Sequence, residues 1–259
     1  MNNNNKSLLI LIFVSLQTTP IIFASDNSST EIAIYGLAVN IKGDTQVGDV
    51  ETDIDVPFSD ILDNLDFGAM LAIEHQRGNW SVLGDVLYMD LSVDNTATTD
   101  GSITLDIDAS VKQLVLEGFV TYRFLQREIE NSSLSLDVLL GLRYIDLDLD
   151  VGVDATFNMG SASRSGSIDE DWLDGVIGLR AKYNHNSGWG AMFWIDVGEG
   201  KDSSSYQLIG MANYKFENDV KVFGGYRFLH TEYEDGSGAS FFEFDADYSG
   251  PQIGVSKTF

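Results

Sequence analysis

The chain has 259 residues, three prolines, 25 glycines, no cysteine and a formal charge of −25. The absence of cysteine excludes disulfide and thiolate chemistry. The acidic balance excludes a nucleic-acid binder, which needs a basic surface, and argues against docking to an anionic lipid surface by charge alone.

Lys6 is the one charge before Asp26, and an apolar run from Leu8 to Leu16 follows it. Ala24 then offers a small residue at a cleavage point. A short charged start, an apolar stretch and a small residue together predict a secretory signal peptide over 1–24. One domain is expected over 25–259. No later apolar run approaches the roughly 20 residues that a spanning helix needs. If the domain enters a membrane it must do so as a closed barrel, because closure leaves no backbone group unpaired in lipid.

Ten segments alternate with period two, the signature of strands. They lie at 32–42, 67–76, 80–89, 114–124, 136–145, 172–183, 189–198, 206–216, 221–229 and 248–259. The first is expected to present Ala33, Tyr35, Leu37, Val39 and Ile41 outward. The last presents Pro251, Ile253, Val255 and Phe259. On the ten apolar faces the only formal charge is Lys257. The opposite faces carry Glu74, Asp85, Glu117, Arg123, Asp137, Arg143, Asp174, Arg180, Lys182, Asp196, Lys215, Lys221 and Arg227. In a soluble sandwich the uncharged face would be the core. In a membrane barrel it meets lipid, and the mixed face fills the lumen. Aromatics at the ends of the apolar faces, among them Tyr35, Tyr88, Tyr144, Tyr183 and Tyr214, match the interfacial girdles of such barrels. Strand length fits the 9–11 residues of a tilted crossing. Links at 43–66, 90–113, 146–171 and 230–247 are long, those at 76–79, 184–188 and 217–219 are short and that at 125–133 is moderate; the short link at 199–205 is the exception to the alternation. An all-β, single antiparallel up-and-down barrel of ten strands follows, with eight as the alternative count. The even number puts both termini in the periplasm.

Three segments carry a family resemblance: 56–67 (VPFSDILDNLDF), 171–180 (DWLDGVIGLR) and 225–228 (GYRF). With the closing strand ending on Phe259, the chain resembles the small outer-membrane β-barrel domain proteins of Gram-negative bacteria. The resemblance implies location in the cell outer membrane, contact with its lipids and lipopolysaccharide, and recognition of Phe259 by the outer-membrane assembly machinery. Lys257 departs from the pattern, in an outward slot that is commonly apolar; snorkelling accommodates it. Such barrels serve as pores, adhesins, enzymes and structural proteins, so the resemblance assigns no activity.

Three constellations are candidates for function. The lumen set Glu74, Asp85, Glu117, Arg123, Arg143, Asp174, Arg180, Asp196 and Arg227 either lines an ion-selecting, porin-like pore or fills a narrow barrel with ion pairs. In the first long link Phe58, Ile61, Leu62 and Leu65 fall at helical spacing, and Pro57 suits a first turn. This short helix either rests on the rim or acts as a lid. The acidic outer loops invite weak divalent-cation association. The run Asp146, Asp148, Asp150 is not an EF-hand, because Val151 stands where glycine is needed and Phe157 where glutamate is needed. It reads instead as the solvated face of a strand. His75, His185 and His230 lie apart in sequence, with no serine or carboxylate pairing evident, so no catalytic residues are assigned and no cofactor is expected. A non-enzymatic structural barrel or narrow pore is the first expectation. A binding module or adhesin acting through acidic loops is the second, and an outer-membrane hydrolase the third.

Overall fold

A computed structural model describes residues 28–99, 103–157 and 160–259; the expected signal peptide at 1–24 lies outside them. Strands β1 (Ser28–Leu37), β2 (Asn40–Val47) and β3 (Val50–Val56) precede helix α1 (Phe58–Asn64). They are followed by β4 (Leu65–Arg77), β5 (Trp80–Thr99), β6 (Ile103–Ile129), β7 (Ser132–Phe157) and β8 (Gly160–His185). Then come β9 (Trp189–Glu199), β10 (Ser203–Lys215), β11 (Val220–Asp235) and β12 (Phe242–Thr258). Every pairing is between antiparallel neighbours, and β1 closes the ring by pairing with both β4 and β12. β1 and β2 pair with successive halves of β12 and so form one stave broken at Ala38–Val39. With β3 an appended hairpin arm, the wall is a closed barrel of ten staves, and the eight-strand alternative falls.

One end is built of tight turns. Gly78, at φ +60, turns β4 into β5 with a backbone that a side chain would strain. At the other end β5, β6, β7 and β8 lengthen greatly, while β9 and β10 stay short and are joined across 200–202. The 27 residues of β6 rise about 90 Å along the strand at roughly 3.4 Å each, against an apolar band of about 25 Å. The links at 90–113 and 146–171, expected as long loops, are therefore mostly β5–β6 and β7–β8 hairpin arms standing beyond the band. Asp146, Asp148, Asp169 and Asp171 sit on the outer face of a continuing ladder, with Ile145 and Leu147 buried on the inner one, where Glu170 accepts from Tyr233 at 3.2 Å.

The outer wall is what lipid requires. Ile253, Leu140 and Val82 are 74%, 66% and 60% exposed, and in water such a surface would drive association. Aromatic pairs rim it at the tight-turn end, Trp80 with Tyr122 at 4.8 Å and Trp189 with Tyr214 at 5.3 Å. Phe67 with Tyr88 and Tyr206 with Phe228 form pairs nearer the long-strand end. Lys257 reaches back over the Phe259 ring at 5.4 Å, which accommodates its charge by a cation–π contact.

The first strand corrects the expectation. Ala33, Tyr35, Leu37, Val39 and Ile41 point inward and are buried, while Ile34 is the exposed side chain. The reason lies in the lumen, whose long-strand half is apolar. Leu37, Val39, Ile41, Met89, Leu91, Ile145, Leu147, Trp172, Phe242 and Phe244 pack there into one cluster. Within it Trp172 stacks on Tyr233 at 4.8 Å.

Candidate functional site

Midway along the barrel the inward residues change from apolar to charged. Arg143 is fully buried and donates to Glu117 at 2.7 Å, Asp196 at 2.8 Å and Ser205 Oγ at 2.8 Å. Arg227 donates to the other oxygen of Glu117 at 2.8 Å, to Gln207 Oε1 at 2.6 Å and to Asp85 at 3.3 Å. Tyr35 donates its hydroxyl to Asp85 at 2.8 Å. Gln207 also donates to Asp196 at 3.0 Å, and Trp194 donates to the same carboxylate at 2.6 Å. Asp174 accepts from Ser203 at 2.5 Å and from Ser205. Each guanidinium thus spends its planar fork on more than one carboxylate or amide, the geometry that makes arginine suited to buried pairing.

A second layer lies toward the tight turns. Arg180 forks onto Glu74 at 2.6 Å and Asp137 at 2.9 Å, with its guanidinium 5.6 Å from the Trp194 ring centroid. Arg123 pairs with Asp137 at 3.2 Å and Lys182 with Glu74 at 3.1 Å. Beside this layer Leu83, Phe119, Leu139, Val176, Trp194 and Ile209 form a second apolar cluster. Gly141 has no side chain because a Cβ there would stand 2.1 Å from the Gly118 carbonyl and 2.5 Å from the Phe119 ring. A cavity of about 460 Å³ opens beneath, toward the tight turns, bounded by Glu31, Lys182, Lys215, Lys221, Met192 and Phe223.

All nine charges expected in the lumen lie there, in two contiguous layers. Burying so many ions is costly, and the layers stand only because nearly every lone pair and proton is matched; Gln252 Oε1 is a buried acceptor without a partner among the described residues. Tyr35, Gln207 and Ser205 belong to the network and were absent from the expected set. Tyr35 escaped because the first strand reads inverted, and neutral Gln207 and Ser205 carry no charge signal.

The expected helix forms, but its stripe divides. Ile61 is buried in the apolar cluster at the mouth, Phe58 and Pro57 are half-buried, and Leu62 and Leu65 face outward. Leu65 already begins β4. The Phe58 N–H donates to Asn40 Oδ1 at 3.0 Å and ties the helix start to β2. Phe259 is pinned in the closing seam, where its N–H donates to the Thr30 carbonyl at 2.8 Å.

The outer face of the long-strand end is acidic by register. Asp53, Asp44, Asp245 and Glu232 stand side by side across β3, β2, β12 and β11. Glu243 faces Glu234, Asp146 faces Asp171, and Asp148 faces Asp169. Like charges directly opposed destabilise a sheet. The carboxyl of Asp44 is held above its ordinary range by a shared hydrogen bond with Asp53 and by its acidic neighbours. Partial desolvation and the neighbouring Glu234 raise that of Glu243. His230 also lies on this face. Its Nδ1 is 2.9 Å from Asp247, a pairing that sequence separation had concealed and that the β11–β12 register supplies.

No family model matches the chain, and no curated protein matches it in sequence. Among solved structures it is similar to the outer-membrane protease OmpT of Escherichia coli, at 12% identity and a TM-score of 0.48, over 93% of this chain and 99% of that one. It is similar to Ail, the attachment invasion locus protein of Yersinia pestis, at 12% identity and a TM-score of 0.34, over 91% and 100%. It is also similar to the neisserial surface protein NspA, at 10% identity and a TM-score of 0.36, over 90% and 100%.

Proposed function

We propose that this chain is an integral outer-membrane barrel whose role is structural and whose lumen is sealed. The observation that carries this reading is Arg143, fully buried across the bore and bonded to Glu117, Asp196 and Ser205. A conducting filter needs sites that an ion can enter and leave, and here each charge is committed to a protein partner. The packed apolar cluster above the network is a second barrier. On this reading the barrel is no enzyme, Ile61 makes α1 a fixed cap, and Phe259 is offered to the assembly machinery. The tight turns and both termini face the periplasm, in keeping with the export segment read at 1–24. The test is ion flux from vesicles reconstituted with the protein: flux at the protein-free level supports the seal, and rapid chloride or potassium release overturns it.

A second reading rests on the register of the acids. The β5–β6 and β7–β8 arms and the four-carboxylate row form an acidic surface beyond the lipid band, suited to a cationic partner or to divalent ions bridging to lipopolysaccharide phosphate. Neutralising Asp146, Asp148, Asp169 and Asp171 together with the row Asp53, Asp44, Asp245 and Glu232, each to its amide, should abolish whole-cell binding of a polycationic probe if that surface is the binding element. Unchanged binding would leave the sealed barrel alone.

A further inference from the structure

The β11–β12 hairpin carries a feature that neither the seal nor the general acidity explains. On its outer face, one step beyond the apolar side chains Tyr226 and Phe228, ligand-type atoms of His230, Glu232 and Asp245 lie within 4.8 Å of one another. We propose that these three side chains form a divalent transition-metal site, of the chemistry that Zn²⁺ satisfies.

The histidine separates this cluster from the surrounding carboxylates, because it is held as metal-binding imidazoles are. Its Nδ1–H donates to Asp247 at 2.9 Å, which fixes the tautomer and leaves Nε2 as the ligating nitrogen. Its ring packs on Tyr206 at 4.8 Å, so the ring plane is set before any metal arrives. Glu232 Oε1 lies 3.6 Å from Nε2. Metal–ligand bonds of about 2.0–2.2 Å place neighbouring tetrahedral ligands about 3.3–3.6 Å apart, so this separation is already that of two ligands on one ion. The other oxygen of Glu232 accepts from Ser204 at 3.0 Å, a supporting bond from the next strand. Asp245 stands directly opposite Glu232 in the ladder with an oxygen 3.6 Å from Nδ1, so its carboxylate must swing toward Nε2 to complete the site. Its other neighbour in the row is Asp44, so a cation here also relieves the repulsion across three strands. One imidazole nitrogen with two carboxylates favours zinc-like ions over calcium or magnesium, which prefer all-oxygen cages. Three protein ligands leave a fourth position open.

The full-length protein, refolded in detergent micelles, is titrated calorimetrically with ZnCl₂ beside His230→Ala, Asp247→Asn and, on the far wall, Asp148→Asn. One high-affinity Zn²⁺ per chain is expected, weakened at least tenfold by His230→Ala and by about 10–100-fold by Asp247→Asn, with Asp148→Asn unchanged. Barrel closure of each variant is checked by its heat-modifiable gel mobility. Should His230→Ala fail to close, Glu232→Gln replaces it and must show the same loss. Equal affinity in all variants, several weak equivalents per chain, or a preference for Ca²⁺ over Zn²⁺ would overturn the site.

Discussion

Replacing Arg143 with alanine removes the residue on which the upper charge layer is centred. The wild-type guanidinium makes three hydrogen bonds, two of them to carboxylates, without measurable exposure. Breaking a buried ion pair from one side costs about 3–5 kcal/mol, because the abandoned charge stays buried. The loss should lie near the lower end, about 3 kcal/mol, because neither carboxylate is wholly abandoned. Glu117 keeps Arg227 at 2.8 Å, and Asp196 keeps Trp194 at 2.6 Å and Gln207 at 3.0 Å. Reversible urea unfolding in lipid vesicles, followed by tryptophan emission, measures it. Arg143→Lys should fall between wild type and alanine, since an ammonium keeps the charge but loses the fork. Arg143→Ala with Arg227→Ala should depart from additivity by about 0.5–3 kcal/mol, because both arginines share Glu117. A loss below about 1 kcal/mol for Arg143→Ala, with additive doubles, would refute the view that the lumen layers hold the barrel together.

Other outcomes follow from particular contacts. Gly141→Ala should cost about 1–3 kcal/mol in the same unfolding assay, since its methyl meets the Gly118 carbonyl and the Phe119 ring. Ile61→Ala should cost about 2–5 kcal/mol by leaving a cavity at the mouth, yet should not raise conductance, because the charge layer beneath still closes the bore. The raised carboxyls of Asp44 and Glu243 bind protons more tightly folded than unfolded. Their repulsion is therefore fully present at neutral pH, is relieved as pH falls through their folded values, and is gone below the ordinary carboxylate range. Amide exchange in β2, β3 and β12, corrected for intrinsic rate, should accordingly slow as pH is lowered from neutral through the folded values to the ordinary carboxylate range of about 4; faster exchange would contradict the sign.

Much of the barrel was legible because lipid imposes a one-sided rule. A charge on an outward position is so costly that nine of the ten apolar faces could be read directly, from Phe67 to Phe259. The first strand failed where that rule loses its contrast. The long-strand half of the lumen is packed with Leu37, Val39 and Ile41 rather than with charges, so apolar alternation no longer distinguishes lipid from core. The identities of the lumen charges were also readable, but their partners were not. Arg180 and Glu74 are 106 positions apart and meet only when the wall closes. His230 and Asp247 needed less, only the hairpin register, which the turn at 236–241 sets.

Single-channel recording of the wild-type protein in a planar bilayer tests the sealed lumen most directly. With Arg143, Arg180 and Arg227 committed to partners on several staves, the expected trace is flat at either polarity, without discrete steps. Reproducible ohmic openings whose size scales with salt would show that ions pass the network, and the sealed barrel would have to be abandoned.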